Sequence, residues 1–348
     1  MIGRLAAACA ALLALAALLP ACSGEKKPEV VLYTSCDDYL LREIIPAFES
    51  ETGIKVRLAG DTEATKTTGL VQRIIAERDQ PRADVWWSNE PFGTMRLADE
   101  GLLAPFTPAA AADFGGAWPE GFAAPDQTWY GFALRARVIA FNTERIKPED
   151  APLTLRELAD PRWKGRIGMA RPQFGTTRGH MGAIVARCGE EALREWLSAL
   201  KANGLRLYSG NSAVVRGVAL GEIDIGLTDT DDVIVGQREK WPVRMVIEEP
   251  SPPGERCAVG ACPIPNTVSI LKNAPNPAAA AKLADFLLSA RVERILATSD
   301  SRNMPLRPGL LGELRDTLPL TAVQPPDLPA IHRAIPRAIN ICTQVLGD

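Results

Sequence analysis

Asp231 and Asp232 stand side by side, two residues after Asp229, in a polar run that follows an apolar segment at 223–228. Adjacent carboxylates in an exposed turn repel each other and gain a use when a metal ion or an ammonium group neutralises them. If a ligand does that work, replacing both by Asn should weaken capture and leave the empty chain nearly as stable. Gly175-Thr176-Thr177 opens a helical pattern, where free N–H groups, the positive end of the helix dipole and two hydroxyls suit an anion. Further polar clusters end predicted strands: Cys36-Asp37, Asp61-Thr62-Glu63, Asn89-Glu90 and Asn211-Ser212. Each alone reads equally well as a helix cap, because Ser, Thr, Asn and Asp accept backbone N–H bonds there. Their recurrence in both halves of the chain makes them candidate ligand contacts, together with Arg135 and Asp229. Glu90 joins Asp231 and Asp232 as a candidate metal ligand. Trp86 or Trp87 could wall the site, and strand alternation would place the other in the core.

Residue types of this kind need a scaffold that gathers loop ends. Val30–Tyr33 is a run of β-formers, 39–51 carries Leu40, Leu41, Ile44, Ile45 and Phe48 at helical spacing, Thr52-Gly53 stops it, and 54–58 is the next strand. This β-α-β order implies a parallel sheet with ligands at the strand ends. The pattern continues with a helix near 65–78, a strand at 84–87 and a helix near 92–100. Gly131–Asn142 is a long apolar strand broken by Arg135 and Arg137, suited to crossing between two lobes. Helices near 177–188, 190–203 and 212–220 alternate with strands at 166–170, 205–208 and 223–228, and a strand at 267–271 returns the chain. The Pro-rich segment 305–348 is expected to wrap the surface with one or two helices.

The chain has 348 residues, a formal net charge of -3 and two histidines. That length fits two lobes, and the mildly acidic charge offers no footprint for nucleic acid. Two histidines leave little for zinc or triad chemistry, and no nucleotide-binding, hydrolase-elbow or zincin motif occurs. Residues 1–21 read as a secretory signal: Arg4, a short Ala/Leu core, then Pro20-Ala21-Cys22. Leu19-Pro20-Ala21-Cys22 resembles a lipobox, which would make Cys22 the lipidated first residue of the mature protein, followed by a tether to residue 28. In an oxidising compartment Cys257 and Cys262, closing a short loop, are expected to form a disulfide.

Val31-Leu-Tyr-Thr-Ser35, Ala47-Phe-Glu-Ser-Glu-Thr-Gly-Ile54, Ala83-Asp-Val-Trp-Trp87, Glu100-Gly-Leu-Leu-Ala-Pro105, Asp160-Pro-Arg-Trp-Lys-Gly165 and Ala219-Leu-Gly-Glu-Ile223 run in order along the chain. This series resembles the extracellular solute-binding proteins of the ferric-iron class, the receptors of ABC importers. The resemblance implies an α/β, two-lobed type II periplasmic binding fold, each lobe a mostly parallel sheet flanked by helices. It would place residues 29–134 and 266–307 in the first lobe, 135–265 in the second, and 308–348 against both. It also implies a periplasmic monomer that is not an enzyme, needs no cofactor, and hands its ligand to permease subunits. Phe174–Thr177 and Asn211-Ser212 match the family's anion-binding turn and helix start. Asp231-Asp232 stands where ferric-binding members carry two tyrosines, and Cys36–Asp38 stands near their usual histidine. The expected ligand is Fe(III) or another oxygen-coordinated metal, with or without an anion. A small zwitterion such as an aminophosphonate, or a phosphorylated polyol, is the alternative. An exported enzyme using Glu90, Asp229 and Asp231, and a sensory module, are rivals from other classes.

Overall fold

The computed structural model describes residues 28–61, 67–249 and 259–347. β1 (Glu29–Thr34) opens the chain, and α1 (Asp38–Thr52) follows, burying Leu40, Leu41, Ile44, Ile45 and Phe48 before Gly53 ends it at φ 70°. A left-handed residue there costs glycine nothing, because it has no Cβ. β2 (Lys55–Gly60), α2 (Thr68–Ala76), β3 (Val85–Ser88), α3 (Pro91–Asp99) and the short β4 (Leu103–Ala104) complete the first run. β2 and β3 lie parallel to β1 on its two sides, as the β-α-β order requires. Trp86 and Trp87 are both fully buried, so neither walls a cleft. Their indole N–H groups donate to Thr94 and Asn266 inside the core.

β5 (Tyr130–Asn142) is buried along its whole length. After it come β6 (Ile167–Ala170), α4 (Gly175–Cys188), α5 (Glu190–Ala202), β7 (Arg206–Tyr208), α6 (Asn211–Ala219), β8 (Ile225–Asp229), α7 (Thr230–Arg238) and β9 (Val243–Val246). β10 (Pro263–Leu271) returns the chain, and α8 (Pro277–Leu287), α9 (Ala290–Thr298), α10 (Pro308–Leu314) and α11 (Leu328–Leu346) close it. The first part of β5 pairs antiparallel with β10, inside a sheet that also holds β1, β2, β3 and β4. From Arg137 onward the same strand pairs with β8 and β9, in a second sheet with β6 and β7. β5 therefore links the two sets of strands in one ten-stranded path, with β10 on one side and β8 on the other.

The change of sheet has a local cause. The register of β5 against β10 shifts between Pro265 and Asn266, leaving Ala133 as an extra residue at φ 45°. This is a bulge, which bends and twists a strand. Ala133 holds a conformation that L-residues avoid because its peptide groups are fixed from several sides. Asn266 and Asn303 donate to its carbonyl at 2.6 and 3.3 Å, and its N–H donates to Glu293 at 3.3 Å.

Helices cover both sheets. α1, α8 and α9 pack on one face of the first, and α2 and α3 on the other. On the second, α6 and α7 bury Val214, Val215, Val218 and Val233, while α4, α5 and α11 share the opposite core. Segment 305–348 is thus more than a surface wrap: α11 buries Ile331, Ala334, Ile335, Ala338, Ile341 and Cys342. It lies so close to α4 that a Cβ at Gly182 would stand 2.6 Å from Ile335 and 3.0 Å from the Ile331 carbonyl. Its other side reaches the first lobe, where His332 stacks on Phe92 and meets Asp99 at 2.8 Å. No helix among the described residues is long and apolar enough to cross a membrane.

Candidate functional site

Arg135 and Arg137 are two apart on β5, so both side chains leave the same face of the strand. That face meets the end of β8, where Asp229 is the last residue, and the first turn of α7, which carries Asp231 and Asp232. Arg137 Nη1 bonds Asp229 at 2.6 Å, and Arg135 Nη1 reaches Asp231 at 2.8 Å and Asp229 at 3.4 Å. The expected exposed acidic turn is therefore corrected. Asp231 is buried and already neutralised by an arginine, because helix α7 begins at Thr230 and turns that side chain inward. Burial pushes the Asp231 carboxyl above the usual carboxylate range, against the pull of Arg135. Burial alone would favour a neutral Arg135, but Asp231 and Asp229 outweigh it and keep the guanidinium charged.

The turn at Gly175–Thr177 arrives from the other side. Thr176 Oγ1 donates to Asp229 at 2.8 Å, and Asn211, at the start of α6, donates its amide to Asp229 at 3.0 Å and to Thr176 at 2.8 Å. Arg137 Nη1 also donates to Thr176 and to the Asn211 side-chain oxygen, each at 3.1 Å. Asp232 accepts the Thr228 hydroxyl at 3.1 Å. Ligand oxygens of Asp229, Asp231 and Asp232 lie within 4.8 Å of one another, and this is the one such group among the described residues.

Arg135, Thr176, Asn211 and the three aspartates line a cavity of about 60 Å³, with Asp37 and Asn89 on its other side. Arg135 bridges the two sides, donating Nη2 to the Asn89 carbonyl at 2.5 Å. Arg171 and Phe174 also line it. Among the charged groups described, four carboxylates (Asp37, Asp229, Asp231, Asp232) meet three guanidinia (Arg135, Arg137, Arg171), a net charge of about -1.

The remaining expected contacts divide. Glu90 is not gathered into the group: both its oxygens accept backbone N–H bonds, from Phe92 at 2.7 Å and Gly93 at 2.8 Å, so it caps α3. Asp61 likewise accepts the Leu70 N–H at 3.2 Å, near the start of α2. Cys36 is buried, is not disulfide-bonded and does not line the cavity. Thr62, Glu63, Cys22 and Cys257 lie outside the described residues. The Cys257–Cys262 bridge is corrected, since Cys262 is a free thiol in the interior, pushed up to about 12 by burial. Cys188 is disulfide-bonded, and its partner is not Cys36, Cys262 or Cys342.

The sequence family described as bacterial extracellular solute-binding proteins matches residues 83–323. The chain belongs to that family. This solute-binding protein is 31% identical over 284 residues to Iron uptake protein A1 of Synechocystis sp., covering 80% of this chain and 75% of that one. It is 27% identical over 306 residues to the Major ferric iron-binding protein of Neisseria meningitidis, covering 87% and 88%. Among solved structures, iron-bound HitA from Pseudomonas aeruginosa superposes with a TM-score of 0.75 at 27% identity, covering 90% of this chain and 99% of that one. The solute-binding protein has the two-lobed type II fold of these relatives, which are binding proteins of transport rather than enzymes.

One contributor was left out of the candidate contacts that the sequence offers for the solute-binding protein. Arg137 was visible as a charge inside an apolar strand, and its i, i+2 spacing from Arg135 was the signal that both face one site.

Proposed function

We propose that this protein is the capture subunit of an ABC importer, and that its cargo is ferric ion or another oxygen-seeking metal ion. The observation that carries this reading is a cavity of about 60 Å³ edged by three carboxylates whose oxygens lie within 4.8 Å. Sites for organic solutes run to roughly 300–1,000 Å³, whereas this space suits an ion with little of its hydration shell. Asp231 Oδ1 is buried without a hydrogen-bond partner among the described residues, an acceptor suited to a metal. Asp232 is the second ligand and Asp37 faces them from the first lobe. The names of the Synechocystis and Neisseria relatives support iron as the cargo. Carboxylates in place of tyrosines make the site less selective for Fe(III) over other hard ions.

The lobes are taken as 29–134 with 266–307 and 135–265, with 308–348 packed on both; the support is that β5 is shared between two sheets. The mature chain works as a periplasmic monomer anchored through lipidated Cys22. Native mass spectrometry after exchange with Fe(III), Mn(II) and Mg(II) tests the cargo. One Fe(III) per chain, reduced about tenfold or more by Asp232→Asn, is expected. Equal uptake by that variant would show that Asp232 is not a ligand of the ion.

A further inference from the structure

We propose that Asp229 is the site's own anion: its carboxylate fills the donor pocket at the starts of α4 and α6, so the protein captures its cation without a free anion beside it. The inference rests on the cation reading above but is tested separately from it. Four donor groups converge on this one carboxylate: Arg137 at 2.6 Å, Thr176 at 2.8 Å, Asn211 at 3.0 Å and Arg135 at 3.4 Å. A carboxylate offers about four lone-pair positions; Asp229 Oδ2 accepts from Thr176, Asn211 and Arg135, and Oδ1 accepts from Arg137.

The donors that meet Asp229 are tied to one another as well. Thr176 has a single hydroxyl proton, directed at Asp229, and its oxygen accepts from Arg137 and Asn211. The Asn211 amide is shared between Asp229 and Thr176, and its carbonyl accepts from Arg137. Arg137 does not line the cavity, so its unpartnered Nε and Nη2 face the interior. Thr177 Oγ1 is the turn's one buried hydroxyl without a partner, and Arg171, the other guanidinium of the lining beside Arg135, has a partner of its own. Asp229 is 1% exposed, so a second negative charge would meet it with little solvent screening.

The anion expected at Gly175–Thr177 is thus supplied covalently, on the end of β8. The wild-type protein decides the matter whether or not metal binds. Inorganic phosphate, followed by ³¹P line broadening and by calorimetry, should show no binding to the empty protein at millimolar concentration, and bicarbonate should behave the same. In metal-loading experiments from a weak chelate, phosphate should change wild-type cation affinity by less than about twofold. Asp229→Asn keeps the shape, removes the charge and leaves one acceptor oxygen for Arg137, Thr176 and Asn211, so it should bind phosphate, and phosphate should raise its cation affinity about tenfold. Phosphate bound at the turn of the wild-type protein, or a tenfold rise in wild-type cation affinity with phosphate, would overturn the proposal. Thr176→Val guards against a misfolded Asp229 variant: with one donor lost and Asp229 present, it should still ignore phosphate.

Discussion

Asp231 and Asp232 are neighbours in sequence and opposites in environment, which separates their roles in stability from their roles in capture. Asp231 is paired with Arg135 at 2.8 Å, and both are buried. Removing Asp231 leaves the buried Arg135 with the longer contact to Asp229 and the Asn89 carbonyl, so Asp231→Asn should cost the empty protein about 3 kcal/mol in urea titrations. Asp232 is partly exposed and accepts one hydroxyl, so Asp232→Asn should cost under about 1 kcal/mol. Both variants should lose cation uptake. An Asp231→Asn protein as stable as the wild type would show that Arg135 finds other partners, and would reinstate the solvated turn that the sequence suggests. The pairing itself could not be read from sequence, because Arg135 and Asp231 are 96 positions apart and only the fold brings them together. Asp61 and Glu90 show the reverse problem. They carry the right chemistry at strand ends, and the competing demand of a helix terminus for acceptors claims them.

Elements were more legible than contacts, because their signals are local. The helical spacing of Leu40, Leu41, Ile44, Ile45 and Phe48 gives α1 directly, and β5 begins one residue before its expected start. The bulge at Ala133 was hidden, since alanine carries no mark of a positive φ and its causes, Asn266, Glu293 and Asn303, are distant. Glu248 is another cross-element tie that sequence conceals. It accepts the Leu155 N–H at 2.8 Å and the Gly260 N–H at 3.0 Å, joining the segment before β6 to the approach of β10. Burial raises its pKa despite those bonds. The folded chain therefore keeps a proton that the unfolded chain has lost, in a window above the ordinary carboxylate pKa of ~4.3. Within that window stability falls as pH rises, because the native state binds more protons. Glu248→Gln should flatten this part of the pH dependence, as measured by urea midpoints between about pH 4 and 7. An unchanged slope would place the proton elsewhere.

At the scale of the molecule, Arg135 sits on the strand shared by both sheets and touches both lobes at once. One guanidinium nitrogen holds the Asn89 carbonyl of the first lobe, and the other holds Asp231 of the second. A cation bound by Asp231 would compete for the same carboxylate, so cargo and Arg135 do related work: each neutralises the acidic wall while the lobes are together. α11 sets a limit on that motion, because it packs on α4 and α5 and also reaches Phe92 and Asp99. Opening should therefore be a hinge at β5 and β10 rather than a separation of lobes. Arg135→Gln removes the bridge and leaves the acidic wall unneutralised, so the empty variant should open. A compact chain of this length has a radius of gyration of ~20 Å, and opening should add about 1 Å in small-angle scattering. Added cation should reverse the change in the variant and alter the wild-type profile little. A variant as compact as the wild type without cargo would mean that the contacts of α11, and not Arg135, hold the lobes together.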